Sequence, residues 1–157
     1  MDRQYYMGID PGQKGAIAFI NLNTNNIGIF DMPLLPDKKG IDVNQFYYNI
    51  DGNSSVFIVL EKAQAMPKQG VTGVFNYGVG YGKLLAAIEI LGLPYCEVRP
   101  QMWKKEFSLK RDKKQSVNMA GKLFPQIKDQ LITPRGALKD GRAEALLLAE
   151  YGRRRNL

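Results

Sequence analysis

Apolar residues near the N-terminus come in short runs, and residues that favour turns separate these runs. Residues 5–10, 15–21 and 27–32 have the length and the aliphatic and aromatic content of β-strands, so we predict a meander of three strands. Residues 56–60 are apolar at every position, which is typical of a strand buried on both faces of a sheet. A short fifth strand is predicted over residues 95–98.

Helices are predicted for much of the remaining chain, where apolar residues recur three and four positions apart. The predicted helices cover residues 43–50, 74–92, 101–107, 115–124 and 140–154. The second of them contains Gly78, Gly80 and Gly82, which are unfavourable inside a helix and which we interpret as room for another backbone or a phosphate. Residues 126–138 are predicted as a loop, and the loop over residues 62–73 either closes over a substrate or is a plain connection.

The length and composition bound the class of protein. At 157 residues the chain is long enough to bury a core, and we predict one domain over residues 1–157. No run of about 18 apolar residues is present, so no membrane span is expected, and we expect no secretory signal. Cys96 is the only cysteine, which excludes an intramolecular disulfide and suits a reducing cytosol.

The sequence contains no histidine. This excludes histidine-dependent catalytic triads and ordinary zinc sites, because one cysteine cannot replace the missing ligands. Any bound metal would be held by oxygen ligands, which points to magnesium, manganese or calcium. Acid–base chemistry would depend on carboxylates, lysines, tyrosines or metal-bound water.

The net charge of +7 favours a polyanionic partner, which by charge alone is either a nucleic acid or an acidic membrane surface. Residues 99–114 hold seven basic and two acidic residues, a net charge of +5, interleaved with Trp103 and Phe107. Such a segment is typical of contact with a phosphate backbone and stacking on bases, although a solvated lysine face over buried aromatics has the same pattern. We favour nucleic acid and expect the contacts from Lys104, Lys105, Lys110, Arg111, Lys113 and Lys114.

Four acidic side chains are candidates for an active site. Asp10 ends the first strand, where it either satisfies the amides of the turn or binds a metal. Glu61 ends the apolar fourth strand, and the carboxyl ends of parallel neighbours face one crevice. Asp140 and Glu144 are four positions apart, so both project from one face of the last helix, although a helix-start acid and a surface acid need no function.

Convergence of all four acids would create an oxygen-ligand site for two divalent ions about 3.5–4 Å apart. One ion would align an attacking water, and the other would stabilise the leaving oxygen of a phosphodiester. The basic segment would hold the strand that is cut and stabilise added negative charge in the transition state.

Three motifs follow one another along nearly the whole chain: GIDPG around Asp10, the apolar strand that ends in Glu61, and DGRAEAL from Asp140 onward. Together they resemble the RuvC family of Holliday junction resolvases, which are ribonuclease H-like nucleases, and especially its short phage-encoded members. The resemblance implies an α/β, ribonuclease H-like fold with a mixed five-stranded sheet flanked by helices. In that fold the first three strands are antiparallel, which agrees with the predicted meander.

The resemblance also implies an activity. Members of this family are homodimers that need magnesium or manganese and nick two opposed strands of a four-way DNA junction symmetrically. The loop over residues 62–73 and the start of the next helix would correspond to the region that faces the junction and forms the dimer. The place of action would be the cytoplasm, that of a bacterial host if the chain is phage-encoded.

By the same resemblance, Asp10 and Glu61 match the acids on the family's first and fourth strands. The last helix departs from the family pattern of two aspartates three positions apart followed by Ala-Leu. Here Glu144 precedes Ala-Leu and Asp140 lies four positions before it, which leaves open which of the two binds metal more directly. Lys104, Lys113 and Lys114 fall in the basic segment where the family uses lysines near the scissile phosphate, and the resemblance leaves open which of them contacts it.

Two other classes of protein compete with this interpretation. A nucleic-acid-binding relative with the same fold but no activity would keep the basic segment. Actin-like ATPases and sugar kinases share an Asp-Pro-Gly opening. They need two such domains and a second phosphate loop, for which 157 residues leave no room.

Overall fold

The five predicted strands are present and form one sheet. The structure, a computed structural model, describes residues 3–52, 55–65, 67–110 and 112–157. In these ranges the strands are β1 (Tyr5–Asp10), β2 (Ala16–Asn21), β3 (Ile27–Asp31), β4 (Val56–Glu61) and β5 (Tyr95–Val98). Their order is β3-β2-β1-β4-β5, in which β1, β2 and β3 are antiparallel and β1, β4 and β5 are parallel. The predicted mixed five-stranded α/β sheet is therefore confirmed.

The parallel pairing of β1 with β4 determines where the strand-end acids lie. Ile9 pairs with Leu60, so Asp10 and Glu61 follow side by side at the carboxyl ends of two neighbouring central strands. Alternate residues of a strand point to opposite faces, and the buried residues of β1 and β4 divide accordingly between two hydrophobic clusters. Asp10 and Glu61 are in phase with Val59, so they share its face of the sheet.

The helices largely follow the predicted ranges. They are α1 (Val43–Ile50), α2 (Val71–Ile90), α3 (Pro100–Glu106), α4 (Lys113–Leu123) and α5 (Asp140–Arg155). Helix α2 begins three residues earlier than predicted. Helix α4 begins two residues earlier, because the carboxylate of Asp112 accepts a hydrogen bond from the backbone N–H of Lys114 at 2.9 Å and caps the helix. Residues Pro125–Gln130 form a 3₁₀ helix where the sequence predicts a loop, and Ile127 anchors it in the core.

Helix α5 packs directly against β1. It covers one face of the sheet together with α3 and α4, and α1 and α2 cover the other. A Cβ on Gly8 would lie 1.9 Å from the carbonyl oxygen of Ala145, and a Cβ on Gly141 would lie 2.4 Å from the carbonyl oxygen of Lys14. No side chain fits at these distances, so glycine is required for the contact. The contact brings the first turn of α5 to the carboxyl end of β1.

Of the three glycines that the sequence analysis singled out in α2, only Gly80 packs closely against another part of the described chain. A Cβ on Gly78 or Gly82 would have no neighbouring atom within 4 Å, and a Cβ on Gly80 would meet the side chain of Ile41 at 3.1 Å. The predicted approach of another backbone to this helix therefore does not occur within these ranges. No helix described by the structure is both long enough and apolar enough to cross a bilayer.

Candidate active site

Asp10 lies at the edge of the sheet among the other predicted acids. Its Oδ1 accepts a hydrogen bond from the backbone N–H of Gly12 at a long 3.4 Å. Burial raises the pKa of Asp10 to about 7 in spite of this bond. The charges of Glu61, Glu144 and Asp140 raise the pKa in the same direction as burial. The other three acids, which come from separate parts of the sequence, therefore lie close enough to Asp10 to raise its pKa.

Glu61 is held by the indole of Trp103, whose Nε1–H donates a hydrogen bond to Glu61 Oε2 at 2.7 Å. Burial is the main cause that raises the pKa of Glu61, and the charge of Glu144 adds to it. The hydrogen bond from Trp103 and the ammonium of Lys104 act in the opposite direction. The indole therefore fixes the carboxylate and stabilises its ionised form.

The predicted stacking of Trp103 and Phe107 on nucleobases is wrong. Both side chains are at most 3 % exposed and belong to the hydrophobic cluster under α5. The alternative interpretation of the basic segment, lysines over buried aromatic residues, describes α3 correctly. The reason is that Trp103 and Phe107 pack into the hydrophobic cluster that includes α5, whereas Lys105 is exposed and Lys104 extends to Glu144.

The two acids of α5 are each paired with a lysine. Lys104 Nζ lies 3.1 Å from Glu144 Oε1, and Lys113 Nζ lies 2.7 Å from Asp140 Oδ2. Ser116 Oγ on α4 donates a further hydrogen bond to Glu144 Oε1 at 3.3 Å. The Glu144 side chain is 14 % exposed and that of Asp140 is 31 % exposed, so Glu144 lies deeper and Asp140 lies at the rim. The pair with Asp140 raises the pKa of Lys113.

The donor set of this edge suits a hard divalent cation, because it consists of carboxylate oxygens. Burial is the main cause of the raised pKa of Asp10, and the repulsion from the neighbouring acids that adds to it is what a bound cation would relieve. Within the described ranges, no three acidic or cysteine side chains are arranged to hold one metal ion as they stand. Two of the four carboxylates bind ammonium groups instead. The residues therefore fit magnesium or manganese by their chemistry, and coordination would require the side chains to rearrange.

A cavity of about 880 Å³ opens beside Glu61. Three of the predicted basic residues line it, namely Lys104, Lys105 and Lys110. Lys62, from the segment after β4, contributes to the same wall. The cavity therefore joins a site of negative charge to a surface of positive charge, which is the arrangement needed to hold a phosphate chain near bound cations.

The other predicted basic residues lie at or beyond the rim. Lys113 and Lys114 are exposed in the first turn of α4, and Lys113 is the partner of Asp140. Arg111 lies outside the described residues. Contact of any of these side chains with a phosphate stays a prediction.

Tyr77 on α2 is a residue of this region that the sequence reasoning missed. It lines the cavity together with Glu61. Burial raises the pKa of Tyr77, and the charges of Asp10 and Glu61 raise it further, so the phenol is neutral at physiological pH. The sequence could have indicated that Tyr77 faces inward. Tyr77 and Tyr81 are one helical turn apart and continue the inward apolar stripe that includes Leu84.

The sheet order, the antiparallel meander and the helix across β1 define a ribonuclease H-like fold, and within that class the fold of RuvC-type Holliday junction resolvases. No family model and no curated protein sequence matches the chain. The similarity is therefore one of structure.

The solved structures that are similar to this chain include two of RuvC and one of a mitochondrial resolvase. RuvC of Thermus thermophilus in complex with a Holliday junction substrate has a TM-score of 0.62 at 15% identity, over 96% of this chain and 96% of that chain. A second Thermus thermophilus RuvC structure has a TM-score of 0.60 at 14% identity, over 97% and 96%. The yeast mitochondrial Holliday junction resolvase Ydc2 has a TM-score of 0.61 at 15% identity, over 96% of this chain and 78% of that chain. At these identities the likeness establishes the fold.

Proposed function

We propose that this protein is a metal-dependent, structure-selective DNA endonuclease that resolves four-way Holliday junctions by paired symmetric nicks. In chemical terms it is a crossover junction endodeoxyribonuclease, a phosphodiester hydrolase, that acts as one domain over residues 1–157. The observation that carries the proposal is a buried carboxylate, Asp10, whose pKa is raised by burial and by three neighbouring acids, close to a cavity that Glu61 and several lysines line. The RuvC-type fold supports it, since one of the similar structures holds a Holliday junction substrate.

Asp10, Glu61, Asp140 and Glu144 are the proposed ligands of Mg²⁺ or Mn²⁺, with two ions in each site. When bound, these ions supply Lewis-acid stabilisation of the phosphodiester and activation of a water. Of the two acids on α5, Glu144 is the proposed main ligand, because it is the less exposed and Ser116 orients it.

The protein's own side chains orient the acids and bind the substrate. Trp103 and Ser116 donate hydrogen bonds to Glu61 and Glu144, which limits how far these carboxylates turn when they rearrange around a cation. The proposed phosphate-binding cations are Lys104, Lys105, Lys110, Lys113 and Lys114, together with Arg111, which the structure does not describe. Cations fixed near the bond that is cut also stabilise the negative charge added in the transition state.

A homodimer is part of the proposal, because symmetric nicking of two opposed strands requires two sites. Val71, Phe75 and Val79 lie one turn apart on α2, and their side chains are 86%, 69% and 46% exposed. A continuous exposed apolar stripe is typical of a protein interface. The proposed occupant of this stripe is a second copy of the chain.

The proposed place of action is the cytoplasm, that of a bacterial host if the chain is phage-encoded. The basis is a DNA substrate together with the single Cys96, which suits a reducing compartment.

The test is a cleavage assay on a synthetic four-way junction with each strand labelled in turn, in Mg²⁺, in Mn²⁺ and in EDTA. The expected products are metal-dependent nicks at symmetric positions in opposed strands, and a linear duplex of the same sequence stays intact. Tight junction binding without cleavage in either metal would favour the inactive nucleic-acid-binding relative. ATP hydrolysis without junction binding would favour the actin-like class.

A further inference from the structure

Two lysines bind acids at the acidic edge of the sheet, which is the group formed by Asp10, Glu61, Asp140 and Glu144. Lys113 Nζ lies 2.7 Å from Asp140 Oδ2, and Lys104 Nζ lies 3.1 Å from Glu144 Oε1. An ammonium and a divalent cation repel each other strongly on one carboxylate oxygen, because a metal–oxygen bond is only about 2.1 Å long. A divalent cation that binds the acids of α5 therefore competes with a lysine.

The two lysines differ in how easily they can leave. The Lys113 side chain is 71 % exposed, and an exposed ion pair contributes little because water solvates the separated charges well. Lys113 also extends from the first turn of α4, where the helix dipole disfavours a cation. Lys104 is 27 % exposed, pairs with the more enclosed Glu144 and lies 5.1 Å from the ring centroid of Trp103.

We propose that Lys113, the more exposed of the two lysines, is an internal counter-ion that a divalent cation displaces from Asp140. The inference rests on the proposed function for its metal site, and it adds a role for one lysine in setting metal affinity. Lys113 is in this respect a positioning residue, since it acts through Asp140. Its displacement adds a free cation to the rim of the site when the metal arrives.

The test measures metal binding and not cleavage. Mn²⁺ is titrated by calorimetry into the wild-type protein, Lys113→Gln and Lys122→Gln. Lys122 is the matched control, because it is exposed in the last turn of the same helix and its substitution removes the same charge. We expect Lys113→Gln to bind Mn²⁺ about three- to fivefold more tightly, the factor that corresponds to an exposed ion pair. Lys122→Gln should bind Mn²⁺ as the wild type does.

A double-mutant cycle localises the effect. In an Asp140→Asn background, Lys113→Gln should leave Mn²⁺ affinity unchanged, because the ion pair that it removes is already broken. A tighter affinity of equal size in both backgrounds would overturn the assignment to Asp140.

A second readout follows the lysine itself. Acetylation with limiting reagent, read by mass spectrometry, should label Lys113 faster once Mn²⁺ is added and label Lys122 at an unchanged rate. Normal Mn²⁺ binding by the wild type with no gain in Lys113→Gln would overturn the counter-ion and leave the proposed function standing. Absence of Mn²⁺ binding by the wild type would overturn both.

Discussion

The acids at the acidic edge accept hydrogen bonds either from side chains or from the backbone. Glu61 and Glu144 accept hydrogen bonds from the side chains of Trp103 and Ser116, whereas Asp10 accepts a long one from the backbone of the turn. The charge of Asp10 is therefore poorly compensated, and its pKa of about 7 follows from burial beside other acids. Asp10 is the acid that would gain most from a bound cation.

Neutral replacements of the strand-end acids test the proposed metal ligands. We expect Asp10→Asn and Glu61→Gln to abolish junction cleavage while junction binding persists, because an amide is a poor ligand for a hard cation and the basic surface is unchanged. Cleavage is measured in Mg²⁺ and binding by gel shift in EDTA. Asp129→Asn, at an exposed position of the 3₁₀ helix, is the control and should cut at the wild-type rate. Cutting at that rate by Asp10→Asn would refute the assignment.

The lysines that line the cavity are expected to contribute to DNA binding, which can be tested through its salt dependence. Replacement of Lys104 and Lys105 together by alanine should weaken junction binding. It should also make the negative slope of log affinity against log salt shallower by about 1–2, since each lost phosphate contact reduces its magnitude by about 0.9. Dissociation constants are measured over a range of salt concentrations in EDTA. The paired control removes Lys122 and Lys128, two exposed lysines away from the cavity. An equal change in both pairs would mean that net charge, and not this surface, binds the DNA.

Among the elements, α5 depends on the absence of a side chain at one position of β1. Gly8→Ala should lower the free energy of unfolding by about 1–3 kcal/mol, because its Cβ would overlap the backbone of α5. Gly82→Ala is the control, since no atom would lie within 4 Å of its Cβ, and it should stabilise α2 by about 0.5–1 kcal/mol. Urea denaturation measures both. Wild-type stability of Gly8→Ala would contradict the observed packing.

An ion pair also joins α5 to β3. Arg142 donates to both carboxylate oxygens of Asp31, at 2.7 and 3.0 Å, and this lowers the pKa of Asp31 below its ordinary value of 3.8. The pair therefore contributes its full stability above that value and loses it as the pH falls through the lower pKa of the folded state.

Substitution of Asp31 should reveal this pH dependence. We expect Asp31→Asn to cost up to about 1 kcal/mol at pH 7, a modest effect because the side chain is half exposed. The difference from the wild type should begin to shrink as the pH falls towards 3.8 and should continue to shrink below it. Urea denaturation at several pH values measures it, with Asp129→Asn as the control. A difference that grows as the pH falls would contradict the lowered pKa.

At the scale of the whole molecule, α2 serves two surfaces. Tyr77 belongs to the cavity at the acidic edge, while Val71, Phe75 and Val79 form an exposed stripe. If the stripe is the proposed dimer interface, the helix that forms the dimer also borders the site. The two sites of a dimer would then keep a fixed separation, which symmetric nicking needs.

A charge in the middle of this stripe tests the dimer. Phe75→Glu should give a monomer by light scattering, because a carboxylate cannot be buried between two apolar surfaces without a partner. Met102→Glu, at a position of α3 that is 58% exposed, is the control and should keep the wild-type mass. A monomeric wild-type protein at the concentrations used for cleavage would contradict the proposal.

Much of the fold could be predicted because its signals are local. Each strand is a short apolar run, and the acids Asp10 and Glu61 stand at the ends of two such runs. The errors in the fold have two causes. A helix cap was overlooked, since Asp112 caps α4 and the helix begins two residues before the predicted start. A contact with the distant core was also missed, since Ile127 anchors a 3₁₀ helix in the core where a loop was predicted.

Some features of the candidate site could likewise be predicted from the sequence, and others could not. The sequence by itself determined the strands, the last helix, the four acids and the lack of histidine ligands, because these follow from local pattern and from residue chemistry. Only the tertiary structure decided that Trp103 is a buried hydrogen-bond donor, that Tyr77 lines the cavity and that Lys113 pairs with Asp140. The reason is that burial and ion pairing depend on distances between residues far apart in the chain, which the packing of helices on the sheet sets.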